Sequence, residues 1–137
     1  MASYKRFEDL PIWQKARDFS REVFFVSKKG EFSKEYRLCS QIRTSSGSVM
    51  DNIAEGFERN GNGEFKQFLY IAKGSCGESR SQLYRAFDYG YISEPQLKEL
   101  LSQSEEISKS ISSFIEYLQK SEIKGTKYKN SPNQLNP

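Results

Sequence analysis

Apolar residues recur along this chain in steps of three and four, and four separate stretches carry the pattern. In the first, Ile12, Ala16, Phe19, Val23 and Val26 step by four, three, four and three, which lines one face of an α-helix. Leu38, Ile42, Ser45, Val49, Asn52 and Gly56 repeat the step in a second stretch. A third stripe holds Phe65, Phe68, Leu69, Ala72, Cys76, Leu83, Ala86 and Phe87, and a fourth holds Leu97, Leu100, Leu101, Ile107, Ile111, Phe114, Ile115 and Leu118. No alternating strand pattern competes. The spacing predicts helices over 10–29, 34–58, 63–89 and 94–121.

Punctuation between the stripes supports these bounds. Asp9 before Leu10 and Pro11 reads as an N-cap with Pro in the first turn, where a missing N–H costs nothing. Gly30 ends the first helix, Ser33 opens the second, either Gly56 or the Asn60-Gly61-Asn62-Gly63 run stops it, and Asn62 caps the third. Gly90 stops the third, and Ser93-Glu94-Pro95-Gln96 sets Ser at N-cap and Gln at N3, the capping-box arrangement. Past Ile123 the chain turns polar, so 124–137 reads as a disordered basic tail. Long amphipathic helices with short connections favour antiparallel neighbours, which predicts an all-α, up-down four-helix bundle in one domain over 1–123.

Composition narrows what such a bundle can do. Histidine is absent, which removes the commonest metal ligand and the only side chain whose unperturbed pKa lies near neutrality. Di-iron bundles draw on Glu-x-x-His pairs, so that chemistry is excluded in its usual form. No nucleophile with a base is visible, and Gly56, Gly61 and Gly63 make no phosphate loop, because no strand precedes them and no Gly-Lys-Ser or Gly-Lys-Thr follows. We expect no enzymatic activity, no cofactor, no metal and no small-molecule substrate. Without an apolar run of membrane-spanning length or an export signal, the expected location is cytoplasmic, with no membrane partner and with Cys39 and Cys76 as reduced core thiols.

Two patches of small residues stand out mid-helix, where Gly costs about 1 kcal/mol relative to Ala. They are Thr44-Ser45-Ser46-Gly47-Ser48 and Gly74-Ser75-Cys76-Gly77. If the second and third helices fold back about position 60, residue n faces roughly 120 − n. The two patches then meet, Arg43 comes within reach of Glu78, and a notch could lie at Gly47 and Gly74. Gln41, Ser45, Ser48, Asn52 and Glu55 form a polar line beside them that needs partners.

The strings QIRTSSGSVMDNIAEGFER (41–59) and EFKQFLYIAKGSCGESRSQLYRAFDYGYI (64–92), with the opening FEDLPIWQKA, closely resemble the bacterial four-helix bundle proteins encoded within intervening sequences of 23S ribosomal RNA genes. The most specific element is Asn52-Ile53-Ala54-Glu55-Gly56, followed by Glu64-Phe65 and Gly74-Ser75. The likeness covers nearly all of 5–120. It implies an antiparallel four-helix fold, a ring-like homopentamer and no established enzymatic activity. A more distant relative is the barrel-shaped accessory protein of diversity-generating retroelements, which partners a reverse transcriptase and binds nucleic acid through basic surface.

Charge bears on that last property. The net charge is +3, but Lys124, Lys127 and Lys129 supply it, and residues 1–123 balance 18 bases against 18 acids. Any basic surface must therefore be local. Lys5, Arg6, Lys15, Arg17, Arg21, Lys28 and Lys29 are the candidates for RNA or DNA. Trp13, Phe24, Phe25, Tyr70, Ile71, Tyr84 and Tyr89 fall off the core stripes, and a monomer rarely leaves so much large apolar surface in water. They predict self-association, and Arg43, Gly47, Asn52, Glu55, Gly56, Gly74 and Glu78 are the candidate structural motif. The resulting expectation is a non-catalytic homo-oligomeric scaffold or adaptor with RNA or DNA as partner; the alternative is an assembly that binds only protein.

Overall fold

The computed structural model describes residues 4–129, with side chains through Ser121. Four long helices, α1 (Pro11–Ser27), α2 (Tyr36–Glu58), α3 (Asn62–Asp88) and α4 (Glu94–Lys129), pack around one core, and no strand occurs among the described residues. Short 3-10 turns at Phe7–Asp9 and Gly30–Lys34 lead into α1 and α2.

The predicted caps hold at some ends and move at others. Ser93 and Gln96 exchange both bonds of the capping box: the Ser93 N–H donates to Gln96 Oε1 at 2.8 Å and the Gln96 N–H to Ser93 Oγ at 3.2 Å. Gly90, at φ +80°, closes α3 with its N–H on the Phe87 carbonyl and the Tyr91 N–H on the Ala86 carbonyl. Asp9 does not cap α1. It ends the 3-10 turn, and the cap position passes to Leu10, whose side chain is fully buried while its carbonyl accepts from Trp13 and Gln14. Burying Leu10 thus outweighs a side-chain cap. Ser33 likewise sits inside the second 3-10 turn, bonded to the Gly30 carbonyl, and α2 starts three residues later. Gly61 rather than Asn62 takes the N-cap of α3, and Asn60 holds φ +63° in the break. The α4 assignment runs to Lys129, and the remainder of the expected tail, 130–137, lies outside the described residues.

Every stripe faces inward. All positions of the four apolar stripes are buried except Val26, Asn52, Phe68, Phe87 and Leu101, which are half-buried at the edges. Helix α1 packs on α2 and α4, and so does α3, which leaves α1 and α3 across the core from each other.

Helices α2 and α3 meet with partner numbers that fall on α3 as they rise on α2. Gln41 Oε1 accepts from Arg85, Ser45 meets Ser79 and Gln82, Ser48 meets Ser75, and Gly56 lies against Phe65 and Phe68. Ser45 therefore sits opposite Ser79 and not Ser75, its partner under a fold-back at position 60. The offset is four residues, about one helical turn.

This register corrects the reading of the small patches. Successive α2 residues point about 100° apart, so Gln41, Ser45, Ser48, Asn52 and Gly56 share the flank toward α3 while Arg43 and Gly47 point to α1. Arg43 donates from Nε to Ser27 Oγ at 2.7 Å and lies 4.8 Å over the Phe24 ring; it makes no ion pair with Glu78. A Cβ on Gly47 would meet Ser20 Oγ of α1 at 3.9 Å, so Gly47 faces α1 rather than Gly74. A Cβ on Gly74 or Gly77 would meet nothing within 4 Å, so neither glycine serves packing inside the chain. The close approach is at Gly56 instead.

Candidate interaction faces

Side chains that repeat every three or four residues on the outer side of α3 form one continuous face. Gly74, Gly77, Ser81 and Tyr84 fall within about 40° of Tyr70 on either side by helical angle, and Ile71 and Tyr89 border them. Tyr70 is 53% exposed, Tyr84 51% and Tyr89 59%. Two large rings thus bracket a shallow strip of glycine and serine at which another backbone could approach closely.

A second exposed apolar surface lies on α1. Phe24 and Phe25 contact edge to face at 5.5 Å, and both Arg43 and Lys28 stand over the Phe24 ring, the Lys28 ammonium at 5.6 Å. Trp13 differs from the other aromatic candidates. Its ring packs edge to face on Phe7 at 5.2 Å against the core, half-buried, so this side chain is largely covered within its own chain. Sequence periodicity misses Tyr36, 81% exposed at the start of α2, and Tyr117 on α4. Both lie outside α1 and α3, the helices whose sequences carry aromatic residues off the core stripe.

The basic candidates divide by partner. Arg6 pairs with Glu8 at 2.8 Å, Lys15 with Glu106 at 2.9 Å and Arg21 with Asp18 at 2.8 Å, all on exposed surface. The bond from Arg6 holds the Glu8 carboxyl below its usual range. Arg17 lies over Trp13, Lys28 over Phe24, and Lys5 and Lys29 make no ion pair among the described residues. Arg17, Arg21 and Lys28 share an outward ridge of α1 by helical angle, whereas Lys15 turns toward α4. Arg43, read from the sequence as a partner of α3, adds its charge to this ridge at Phe24.

Polar groups inside the bundle are satisfied within the chain. Ser45 Oγ donates to Gln82 Oε1 at 2.6 Å and lies 2.9 Å from Ser79 Oγ. Asn52 Nδ2 donates to the Ser48 carbonyl and hydroxyl, each at 2.8 Å. Glu78 accepts from Gln82 at the limit of bonding distance, and Glu55 pairs with Arg59 at 3.6 Å. Among the described residues, no buried side-chain polar atom lacks a partner, and no group of three or more acidic, histidine or cysteine side chains is placed to hold a metal ion. Burial pushes the Cys76 thiol up to about 11, and Cys39 is raised for the same reason. No helix among the described residues is long and apolar enough to cross a membrane.

An all-helical fold with a fully satisfied interior and exposed aromatic faces defines a helical-core protein whose distinctive chemistry lies on its surface. The chain belongs to the 23S rRNA-intervening sequence protein family, whose model matches residues 8–113. Its fold is similar to that of a protein of unknown function from the S23 ribosomal protein family of Bacteroides thetaiotaomicron VPI-5482, at a TM-score of 0.70 and 24% identity, covering 76% of this chain and 97% of that one. Among curated proteins none matches. No activity attaches to the family description or to this neighbour.

Proposed function

We propose that this protein is a non-catalytic, cytoplasmic scaffold: an antiparallel up-down bundle that assembles with copies of itself and presents basic surface to RNA or DNA. The outer face of α3 carries the reading. Gly74 and Gly77 sit mid-helix with open space where a side chain would go, although each costs about 1 kcal/mol relative to Ala. Tyr70 and Tyr84 lie half-exposed beside them, and a second subunit would cover both rings and use the room at the glycines. The ring-like homopentamer implied by the family resemblance is the assembly we expect. Size-exclusion chromatography with light scattering tests it, and a monomer at micromolar concentration rejects self-association.

The nucleic-acid component rests on Arg17, Lys28 and Arg43, which stand beside aromatic rings on one flank without an acidic partner. A single ridge of this kind binds weakly, and symmetric repetition multiplies it by avidity. Fluorescence anisotropy with RNA and DNA should show affinity that falls steeply with salt, and that weakens in Arg17→Glu/Lys28→Glu. No binding at low salt leaves the purely protein-binding assembly, which a pull-down insensitive to nuclease would support.

A further inference from the structure

The outer face of α3 ends in two exposed rings, Tyr84 and Tyr89, and an apolar groove opens between the end of α1 and the start of α4. Building on the self-association proposed above, we infer that copies join head to tail, with the Tyr84–Tyr89 end of α3 in one copy seated in the α1/α4 groove of a second copy.

The groove has a volume of about 400 Å³ and walls formed by Phe25, Pro95 and Leu100, with Glu22, Glu99 and Lys29 at its rim. Glu22 and Glu99 both accept from Gln103 and neither enters an ion pair within the described chain; nor does Lys29. At the matching end of α3, Arg85 bonds only the neutral Gln41, and Asp88 has no ion-pair partner. Two acids and a base on one surface thus stand unneutralised, as do a base and an acid on the other. Seated together, Arg85 meets the acidic rim and Asp88 meets Lys29. Complementary charge of this sort fixes orientation more than it adds affinity.

Position in the fold decides between pairing modes. Helices α1 and α3 lie across the core, so their outer faces look in opposite directions. Both patches also lie at the same end of the molecule, where Phe32 of the α1–α2 connection stacks on Tyr91 of the α3–α4 connection at 5.4 Å. Rotation about an axis roughly parallel to the helices preserves height, so a ridge and a groove level with each other on opposite flanks meet in successive copies. Repetition of such a heterologous contact closes a ring where the turn between copies divides a full circle and runs on as a filament where it does not. A two-fold α3-to-α3 pairing would cover Tyr84 and Tyr89 but leave Phe25, 50% exposed, and the groove in water.

The test uses a groove variant, Phe25→Glu, and a ridge variant, Tyr84→Glu/Tyr89→Glu, with circular dichroism to verify helical content and light scattering to read mass. Each variant alone should be monomeric. Their equimolar mixture should give a dimer and nothing larger, because one intact ridge and one intact groove remain per pair. Wild-type mass for Phe25→Glu, or a mixture that stays monomeric, overturns the head-to-tail contact while leaving self-association standing. A monomeric wild type removes self-association itself. Should a charge variant unfold, Phe25→Cys and Tyr84→Cys replace them: a disulfide-linked dimer forming only in the mixture is expected, and a dimer of Tyr84→Cys alone overturns the inference.

Discussion

A Cβ built on Gly56 would stand 2.6 Å from the Cβ of Phe68 and 3.0 Å from the Phe65 ring. No flexible side-chain end absorbs that overlap, since Phe68 Cβ is fixed by the α3 backbone. Overpacking costs about 1–3 kcal/mol and outweighs the helix-propensity gain of about 1 kcal/mol that Ala brings. Gly56→Ala should therefore lower the urea midpoint, and a midpoint at or above wild type would mean that α2 and α3 separate more easily than their packing suggests.

Gly74→Ala and Gly77→Ala should act with the opposite sign on the isolated subunit. Nothing lies within 4 Å of either new Cβ, so helix propensity alone operates and each change should stabilise by up to about 1 kcal/mol. In the assembly proposed above the same methyl groups would intrude on the neighbour. Denaturation of diluted subunits and light scattering at higher concentration should move apart, the first toward stability and the second toward dissociation.

Gln82→Leu removes the shortest hydrogen bond of the buried Ser45 hydroxyl and leaves it Ser79 Oγ at 2.9 Å and the Ile42 carbonyl at 3.3 Å. Losing one such bond while other partners remain costs about 0.5–1.5 kcal/mol. Combining it with Ser45→Ala should cost less than the two changes separately, because both break the same bond. Additive losses in denaturant melts would show that the two side chains are energetically independent.

Alkaline stability depends on Cys76, whose thiol donates to the Ser104 carbonyl at 3.0 Å and titrates at about 11. An unfolded-chain thiol titrates near 8.5. The folded protein holds this proton more tightly, so the contribution is complete below the unfolded value and is lost as pH rises through about 11, on the order of 3 kcal/mol in all. Unfolding free energy measured from pH 8 to 11 should fall less steeply in Cys76→Ala than in wild type. Equal slopes would assign the alkaline loss to other groups.

Much of the fold was legible because helix formation and burial are written in local spacing. The stripe from Leu97 to Leu118 specifies an inward face with no knowledge of its neighbours, and Ser93 with Gln96 specifies its own cap. Asp9 and Ser33 show where local signals yield: burial of Leu10 and the 3-10 turn from Gly30 shift the starts of α1 and α2. The family likewise came from contiguous strings such as Asn52-Ile53-Ala54-Glu55-Gly56, and the match over 8–113 follows them.

Interhelix register was not legible in the same way. A shift of one turn between α2 and α3 keeps every apolar stripe inward, so spacing cannot distinguish Ser75 from Ser79 as the partner of Ser45, yet it decides which polar groups bond. Arg43 turned to Ser27 and Phe24 because its angle on α2 points to α1, a direction that acquires meaning only once α1 is in place. The glycines divide for the same reason: Gly56 lies under Phe68 while Gly74 faces open space, and one-letter spacing gives both the same cost. Four inward-facing helices and the family they belong to follow from residues within a turn or two of each other, so local spacing is enough to specify them. Which small residues pack within the chain, and which aromatic and basic groups share a surface, depend on how distant helices slide and rotate against one another, and no local spacing encodes that.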